Sequence, residues 1–221
     1  MEVAEKPTRH ATDVRQAHLV AAALALAAQR SPADITTADL ARVVGISQGA
    51  VFRHFASKQA LWLAVLDWAA GTLMARLEAA ASAAHAVATS DPDQASDLVA
   101  LRAVFMAHVD FVQHYPGVPR MIFQELQSPG DTALKLQVRS LLARYRQLLM
   151  NLLQQAQQAR LLAPETDLPA AAMLFIGSVQ GLVMQALMSG DLAAATAHAP
   201  GVFAIYQRGL LATPTISKGT L

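Results

Sequence analysis

Residues 36–58 read TTADLARVVGISQGAVFRHFASK, a pattern that predicts two short helices joined by a tight turn. A threonine pair is placed to cap the first helix, over residues 38–44, whose apolar side chains recur at helical spacing. Gly45 ends this helix, because glycine adopts the left-handed conformation that a sharp turn requires. Ser47 then caps a second short helix over residues 48–54. This order of elements is the layout of a helix-turn-helix motif.

The side chains of the second helix divide into an inward and an outward face. At about 100° per residue, Val51 and Phe55 point to one side and should pack against the preceding helices. Arg53 points nearly the opposite way, with the small residues Gly49 and Ala50 beside it. Small residues allow a helix backbone to come close to a DNA groove, and an arginine there can pair with a phosphate or with guanine O6 and N7.

Positive charge is concentrated in the same segment, although the net charge of the whole chain is only +1. Residues 40–60 contain three cations and no acidic residue, which favours a small contact with nucleic acid. Ser47 and Gln48 stand at the helix N-terminus, where recognition helices usually touch base edges. Lys58, at the start of the next helix, could grip a phosphate. An ordinary helical hairpin with a surface arginine has the same spacing, so the residues by themselves leave both interpretations open.

The composition of the 221-residue chain favours helix and excludes several classes of site. Alanine and leucine are abundant and glycine is scarce, which favours helices throughout. The chain has no cysteine, so disulfides, thiolate metal sites and cysteine nucleophiles are excluded. No Ser-His-Asp arrangement, paired carboxylates or glycine-rich phosphate loop is found, so we expect neither an enzyme nor a cofactor or metal site. The N-terminus lacks a signal-peptide pattern, so we expect a cytoplasmic protein.

Apolar periodicity and the positions of proline and glycine predict an all-α fold of about nine helices. We expect a three-helix, helix-turn-helix DNA-binding domain over residues 11–58. A helical-bundle domain should follow over residues 59–212, and a disordered tail over residues 213–221. The first helix should bury one face, made of Val14, Ala17, Ala21, Leu24, Ala25 and Ala28.

A family resemblance rests on three neighbouring runs, ITTADLA at residues 35–41, VGISQGAVFRHF at residues 44–55 and SKQAL at residues 57–61. They closely resemble the DNA-binding domain of the tetracycline-repressor (TetR) family, and the match is dense over about residues 12–66 without gaps. The resemblance implies a regulator that binds DNA through its recognition helix. The family usually has tyrosine where this chain has Phe52, so the phosphate contact commonly made by the tyrosine hydroxyl is missing or replaced.

The resemblance also implies partners and contact residues. The partners are double-stranded palindromic operator DNA, a second copy of the chain, and a small, largely apolar effector that releases the repressor from DNA. The implied DNA contacts are Thr36, Thr37, Ser47, Gln48, Gly49, Ala50, Phe52, Arg53, His54 and Lys58. The last two helices, together with those of the second copy, would form a four-helix dimer interface. The residues selected for this interface are Phe175, Gly177, Ser178, Gly181, Leu182 and Tyr206.

Candidate effector contacts are aromatic, methionine and polar residues near the middle of the predicted bundle. They are Phe105, His108, Phe111, Met121, Phe123, Gln124, Tyr145, Met173 and Met184. For any one of these residues, ordinary core packing is the better explanation. A helical DNA-binding scaffold without an effector is therefore the alternative.

Residues 168–190 raise a third alternative, because they carry no charge and contain Gly177-x-x-x-Gly181, a packing motif of membrane helices. Against a membrane span are Gln180 and Gln185 inside it, aspartates rather than cations at both ends, and the lack of a second span. A helix buried by its own subunit and by a partner would be equally apolar. We therefore predict no membrane association.

Overall fold

The computed structural model describes residues 9–90 and 98–211, with side chains in residues 12–86 and 98–211. Within these ranges the chain forms nine α-helices and one short 3-10 turn, which confirms the predicted all-α fold. The helices are α1 (Arg9–Ala27), α2 (Thr37–Val44), α3 (Gln48–His54), α4 (Lys58–Ser90), α5 (Val99–His114), α6 (Gly117–Leu126), α7 (Ala133–Gln158), α8 (Leu168–Ser189) and α9 (Leu192–Leu210). The predicted disordered tail, residues 213–221, lies outside the described residues.

Side-chain caps and glycines set the ends of several helices. The Thr36 side chain caps α2, and Asp167 and Asp191 accept hydrogen bonds from backbone amides at the starts of α8 and α9. Gly45 and Gly190 end α2 and α8 with φ values of 72° and 74°. These left-handed conformations cost little for glycine, because it has no Cβ. The helix-turn-helix boundaries therefore fall where the sequence places them.

The described helices divide into two compact units whose boundary differs from the one expected after residue 58. The first unit contains the chain up to Thr72 together with His114–Leu141. The second contains Leu73–Gln113 together with the chain from Leu142 onward. The first unit therefore holds α6 and the first part of α7 in addition to the helix-turn-helix motif.

Helix α1 is in the first unit, and its buried face differs from the predicted one. Leu24 is buried as expected, but Ala17, Ala21 and Ala25 are exposed and Val14 is 43% exposed. The residues that α1 buries completely are Leu19, Ala23 and Ala27. The prediction failed because α2, α3 and α6 all contact α1 along this other face. Within residues 12–86 and 98–211, the alanine-rich face stays exposed.

The second unit has an aromatic core. Phe105 lies against Phe175 and Phe203, with ring centroids 5.2 Å and 5.5 Å apart. The Tyr206 hydroxyl donates a hydrogen bond of 3.2 Å to the Ala171 carbonyl and so joins α9 to α8. Phe175 and Tyr206 were predicted as dimer-interface residues, but both are buried within the chain itself, at 0% and 4% exposure. Their place in the core follows from their large apolar rings.

Two of the described helices have the length and composition of a membrane span, Lys58–Ala86 within α4 and Leu168–Ser189. Half of the apolar stretch in α4 and 39% of that in α8 is buried inside the protein. Core helices of water-soluble proteins share these properties. The two helices are therefore weak evidence for a membrane protein.

Candidate DNA interface

The turn between α2 and α3 is held by backbone geometry and by one side-chain cap. After the left-handed Gly45, the Ile46 amide donates a hydrogen bond of 2.9 Å to the Ala41 carbonyl. The Ser47 hydroxyl then accepts a hydrogen bond of 3.2 Å from the Ala50 amide, which starts α3. The cap fixes the direction in which α3 leaves the turn.

One side of α3 is packed into the first unit. Val51 is 1% exposed and Phe55 is 9% exposed, as the helical spacing predicts. Gln16 of α1 donates a hydrogen bond of 2.9 Å through Nε2 to the His54 carbonyl oxygen at the end of α3. His54 itself is half-buried, and its Nδ1 has no hydrogen-bond partner among the described residues. Helix α1 therefore anchors both the packed face and the end of α3.

The outward face of α3 is formed by Gln48, Gly49, Phe52 and Arg53, all of which are exposed. Phe52 is 49% exposed, whereas Ala50 is only 7% exposed. The expectation that Ala50 lies beside Arg53 on the outward face is therefore wrong. Since α3 contacts both α1 and α2, its buried arc is wide enough to include residue 50. An aromatic ring stands on the outward face instead of a methyl group.

Two residues implied as DNA contacts are joined across the motif. Gln48 at the start of α3 donates a hydrogen bond of 2.9 Å through Nε2 to the Thr37 hydroxyl at the start of α2. Both side chains lie near the surface. The bond places an amide and a hydroxyl side by side, and both groups can exchange hydrogen bonds with base edges or phosphates.

Asp39 organises the start of α2. Its Oδ2 accepts hydrogen bonds from the Thr36 amide and hydroxyl, at 2.9 Å and 2.7 Å, and forms an ion pair of 2.9 Å with Arg30. Its Oδ1 pairs with Arg42. These contacts, above all the hydrogen bond from the Thr36 backbone amide, hold the pKa of Asp39 below its usual range. This network was not predicted, although residues 36–39 have the Thr-x-x-Asp spacing of a capping box.

Lys58 makes a contact within the protein. Its Nζ donates a hydrogen bond of 2.8 Å to the Ala33 carbonyl in the turn between α1 and α2. The Ser57 hydroxyl accepts a hydrogen bond of 3.0 Å from the Ala60 amide and caps α4. Lys58 thus ties the start of α4 to the α1–α2 turn, and its contact with a phosphate stays a prediction.

The structure separates the candidate effector residues into groups. Met121, Phe123 and Gln124 belong to α6 in the first unit. Gln124 Oε1 accepts hydrogen bonds from the Ser31 hydroxyl and the Ala33 amide, at 3.1 Å and 3.3 Å. Gln124 therefore holds the α1–α2 turn in the structure, a role that its sequence environment did not indicate.

Four other candidates lie in the second unit, Phe105, His108, Phe111 and Tyr145. His108 Nδ1 and the Tyr145 hydroxyl are 3.0 Å apart, within hydrogen-bond distance. Burial lowers the pKa of His108 to about 4 and raises the pKa of Tyr145. The imidazole is therefore neutral at pH 7. The two groups form a polar pair beside the aromatic core, while the Arg76 guanidinium lies 5.8 Å from the Phe111 ring centroid.

The last two effector candidates, Met173 and Met184, are on the outer face of α8. They are 66% and 40% exposed, so they do not fill the core of the second unit, contrary to the prediction. Gly177 and Gly181 are exposed on the same helix, and Ser178 and Leu182 are half-buried. The other large apolar side chains exposed on α8 and α9 are Leu174, Met188 and Ile205. We call this exposed apolar surface the α8–α9 face.

Comparison with protein families gives two matches to the chain. The family described as bacterial regulatory proteins, tetR family, matches residues 19–65. The family described as tetracyclin repressor-like, C-terminal domain, matches residues 127–200. The first match contains the whole helix-turn-helix motif, and together the two extend over both compact units.

Curated relatives share the name nucleoid occlusion factor SlmA. The protein of that name from Haemophilus ducreyi is 29% identical over 104 residues, which are 47% of this chain and 46% of the relative. The protein from Marinomonas sp. is 22% identical over 162 residues, 73% of this chain and 77% of the relative. The chain spans about half the length of the first curated relatives it matches.

Solved structures share the fold over nearly the whole chain. The fatty acid degradation regulator FadR from Bacillus halodurans superposes with a TM-score of 0.73 at 17% identity, covering 93% of this chain and 98% of that one. SmeT, the repressor of the Stenotrophomonas maltophilia multidrug efflux pump SmeDEF, superposes with a TM-score of 0.68 at 17% identity. The alignment with SmeT covers 95% of this chain and 96% of SmeT. At these identities the similarity establishes the fold.

Proposed function

Since this chain belongs to the TetR family of bacterial regulatory proteins, we propose that it is a cytoplasmic repressor that binds a palindromic operator as a homodimer. A small, largely apolar molecule that binds the second unit releases it from DNA. The observation that carries the proposal is the outward face of α3, which presents Gln48, Phe52 and Arg53 around the exposed Gly49. Such a face can enter the major groove of DNA.

Each exposed group on this face matches a feature of DNA. The Arg53 guanidinium can donate two hydrogen bonds to guanine O6 and N7 or to a phosphate. The Phe52 ring can contact a thymine methyl group, which is an apolar target in the major groove. The linked side chains of Gln48 and Thr37 supply donors and acceptors for base edges or backbone. Gly49 leaves room for the helix to approach.

The α8–α9 face supports a homodimer. Met188, Met173 and Ile205 are 75%, 66% and 65% exposed, and α8 contains no charged residue. Large apolar side chains exposed together on neighbouring helices favour an association surface. A second copy covering this face would place two recognition helices on one duplex, with half-sites about 34 Å apart.

Release by an effector requires a molecule that binds one conformation of the dimer better than the other. The His108–Tyr145 pair in the aromatic core of the second unit offers a hydrogen-bonding anchor for a mainly apolar molecule. Several aromatic rings of this core also contact one another directly. The alternative is therefore a regulator without an effector, whose core is filled by its own side chains.

The DNA proposal is tested with an operator selected from a random duplex library by the full-length protein. Arg53→Ala is expected to weaken binding at least tenfold. It should also reduce the slope of log affinity against log salt concentration by about 1, the change expected for the loss of one phosphate contact. Arg146→Ala is the matched control, because Arg146 is also exposed but lies on α7 in the second unit. If Arg53→Ala and the parent chain bind the operator with equal affinity, the outward face of α3 is not the DNA interface.

A second candidate function comes from the relatives named nucleoid occlusion factor. It shares the DNA-binding step with the first but has a different consequence in the cell. Deleting the gene and imaging division septa and nucleoids separates the two. Septa formed over nucleoids favour the second function, whereas normal septa with altered transcription of neighbouring genes favour the first.

A further inference from the structure

A cleft of about 390 Å³ opens along the uncovered face of α1. Ala17, Ala21 and Ala25 form one wall, Trp68 of α4 forms another, and Tyr115 with its neighbours between α5 and α6 forms the third. All the lining residues belong to the first unit. We call it the α1 cleft. It is separate from the His108–Tyr145 pair, which lies in the second unit.

The walls of the α1 cleft are flat and apolar. Alanines four residues apart share one side of a helix, so their methyl groups make a smooth surface with no long side chains. Opposite them, the Trp68 and Tyr115 rings meet edge to face, with centroids 5.0 Å apart and an interplanar angle of 78°. Trp68 keeps 36% of its surface exposed. The sequence predicted this alanine face to be buried, but Ala17, Ala21 and Ala25 are exposed among the side chains that the structure describes.

The chemistry of the lining selects an uncharged occupant. Among the residues that the structure places around the cleft, His114 has the one basic side chain, and none is Asp, Glu, Lys or Arg. A cation would therefore lose hydration without gaining an ionic partner, and an anion would gain only the exposed imidazole of His114. A cleft of this volume is within the usual range for small-molecule sites.

We propose that the α1 cleft binds a flat, uncharged aromatic molecule of about two fused rings. One face of the ligand lies on the alanine wall. Its edge or its opposite face packs against the Trp68–Tyr115 pair, in the edge-to-face or offset-stacked arrangement that aromatic rings favour. This inference goes beyond the proposed function, because it assigns a ligand site to the unit that carries the recognition helix. It does not depend on DNA binding.

The ligand would also stiffen the support of the recognition helix. Helix α1 contacts α3 through the hydrogen bond from Gln16 to the His54 carbonyl. Leu24 of α1, which lines the cleft, is in tight contact with Gly117 at the start of α6. A molecule packed against this part of α1 contacts none of the side chains on the outward face of α3. It restrains α1, which in turn supports α3.

Isothermal titration calorimetry of the full chain at pH 7 tests the site with three matched probes. 2-Naphthol is flat and uncharged, 2-naphthoate is flat and charged, and decahydro-2-naphthol has the same skeleton but is not flat. We expect saturable binding of 2-naphthol and at least tenfold weaker binding of the other two. Absence of saturable 2-naphthol binding, or equal binding of 2-naphthoate, overturns the proposal.

Cleft-filling variants locate the binding. Ala21→Leu and Ala25→Leu each place a larger side chain in the cleft at an exposed helical position, so helix formation is preserved. Each is expected to weaken 2-naphthol binding at least tenfold. Ala133→Leu makes the same change at an exposed position of α7 outside the cleft and should bind like the parent chain. Thermal melting of each variant checks its folding, and unchanged binding by both filling variants places the probe elsewhere.

Discussion

Gly117 lies so close to Leu24 that a Cβ at residue 117 would stand 2.6 Å from the Leu24 carbonyl oxygen and 2.9 Å from the Ala27 Cβ. Helix α6 begins at this glycine and packs there on α1. The obstacle is mainly backbone, which cannot rotate away as a flexible side chain would. The contact between α1 and α6 therefore depends on a residue without a side chain.

Gly117→Ala is expected to lower the free energy of unfolding by about 1–3 kcal/mol, because it forces two packed helices apart. Urea denaturation followed by circular dichroism measures this change. Gly130→Ala is the control, since a Cβ at residue 130 meets nothing within 4 Å. If both variants unfold at the same urea concentration, the close approach of α6 to α1 is not a feature of the folded protein.

Thr36 is predicted to act through stability as well as through any contact with DNA. Its hydroxyl accepts a hydrogen bond of 3.1 Å from the Asp39 amide and donates one to the Asp39 carboxylate. Thr36→Ala removes this cap and should cost about 1 kcal/mol of unfolding free energy. Thr36→Ser keeps the hydroxyl and should retain the stability of the parent chain. Urea denaturation of the three proteins checks the order, and a Thr36→Ala protein as stable as the serine variant contradicts the cap.

Phe52 offers a gain-of-affinity prediction. Its ring is 49% exposed on the outward face of α3, so a hydroxyl added at its tip remains in solvent and disturbs no packing. Phe52→Tyr is expected to bind the operator about two- to tenfold more tightly by adding one hydrogen bond to a phosphate. Phe52→Ala is expected to bind more weakly through the loss of an apolar contact. Fluorescence anisotropy on labelled operator measures both.

The two variants of Phe52 also separate specificity from general affinity. A new phosphate contact should strengthen binding to operator and random duplex alike, because phosphates carry no sequence information. Loss of a contact with a thymine methyl should weaken operator binding more than random binding. If Phe52→Tyr binds neither duplex more tightly, the ring does not lie near the DNA backbone.

The helix boundaries could be predicted because they depend on local chemistry. Gly45 and Ser47 act through their own backbone or through neighbours a few residues away. The orientation of α3 was predicted less well. Valine and phenylalanine identify a buried face by their size, whereas the methyl group of Ala50 is stable on either side. Only the packing of α3 against α1 and α2 decides that residue 50 is covered.

Contacts between residues far apart in sequence could not be predicted from periodicity. Gln124 is 93 residues from Ser31, and nothing in the local pattern of α6 marks it as a support of the α1–α2 turn. Met173 is similar, because an apolar residue on an apolar helix does not show whether it faces a core or a surface. Its 66% exposure is a property of the packing of α8 on α9.

His108 makes the stability of the second unit depend on pH. Burial lowers its pKa to about 4, whereas an unfolded chain binds a proton at this residue below pH 6.5 or so. The contribution of the neutral ring to stability is therefore fully present above about pH 6.5 and is lost as the pH falls toward 4. Between pH 7.5 and pH 5 this loss is about 2 kcal/mol.

His108→Gln removes the titrating group and is expected to flatten this part of the pH profile. Urea denaturation of the parent chain and the variant at pH 7.5 and pH 5 measures the difference. His18→Gln is the control, because His18 is exposed on α1 and should leave the profile unchanged. A parent chain whose stability is the same at both pH values would show that His108 is not desolvated.

The α8–α9 face predicts how the oligomer can be broken. Ile205 is 65% exposed and Met188 is 75% exposed, so a charge at either position is harmless in a monomer. In a dimer the same charge is buried without a partner, which is strongly unfavourable. Ile205→Glu and Met188→Glu should therefore sediment as monomers at micromolar concentration, whereas the parent chain sediments as a dimer. They should also bind a palindromic operator at least tenfold more weakly, because one recognition helix then acts alone.

Leu136→Glu is the control for this prediction. It changes a residue of similar exposure, 54%, on α7 in the first unit, and the variant should remain a dimer. If Ile205→Glu and Met188→Glu sediment like the parent chain, the subunits associate through another surface.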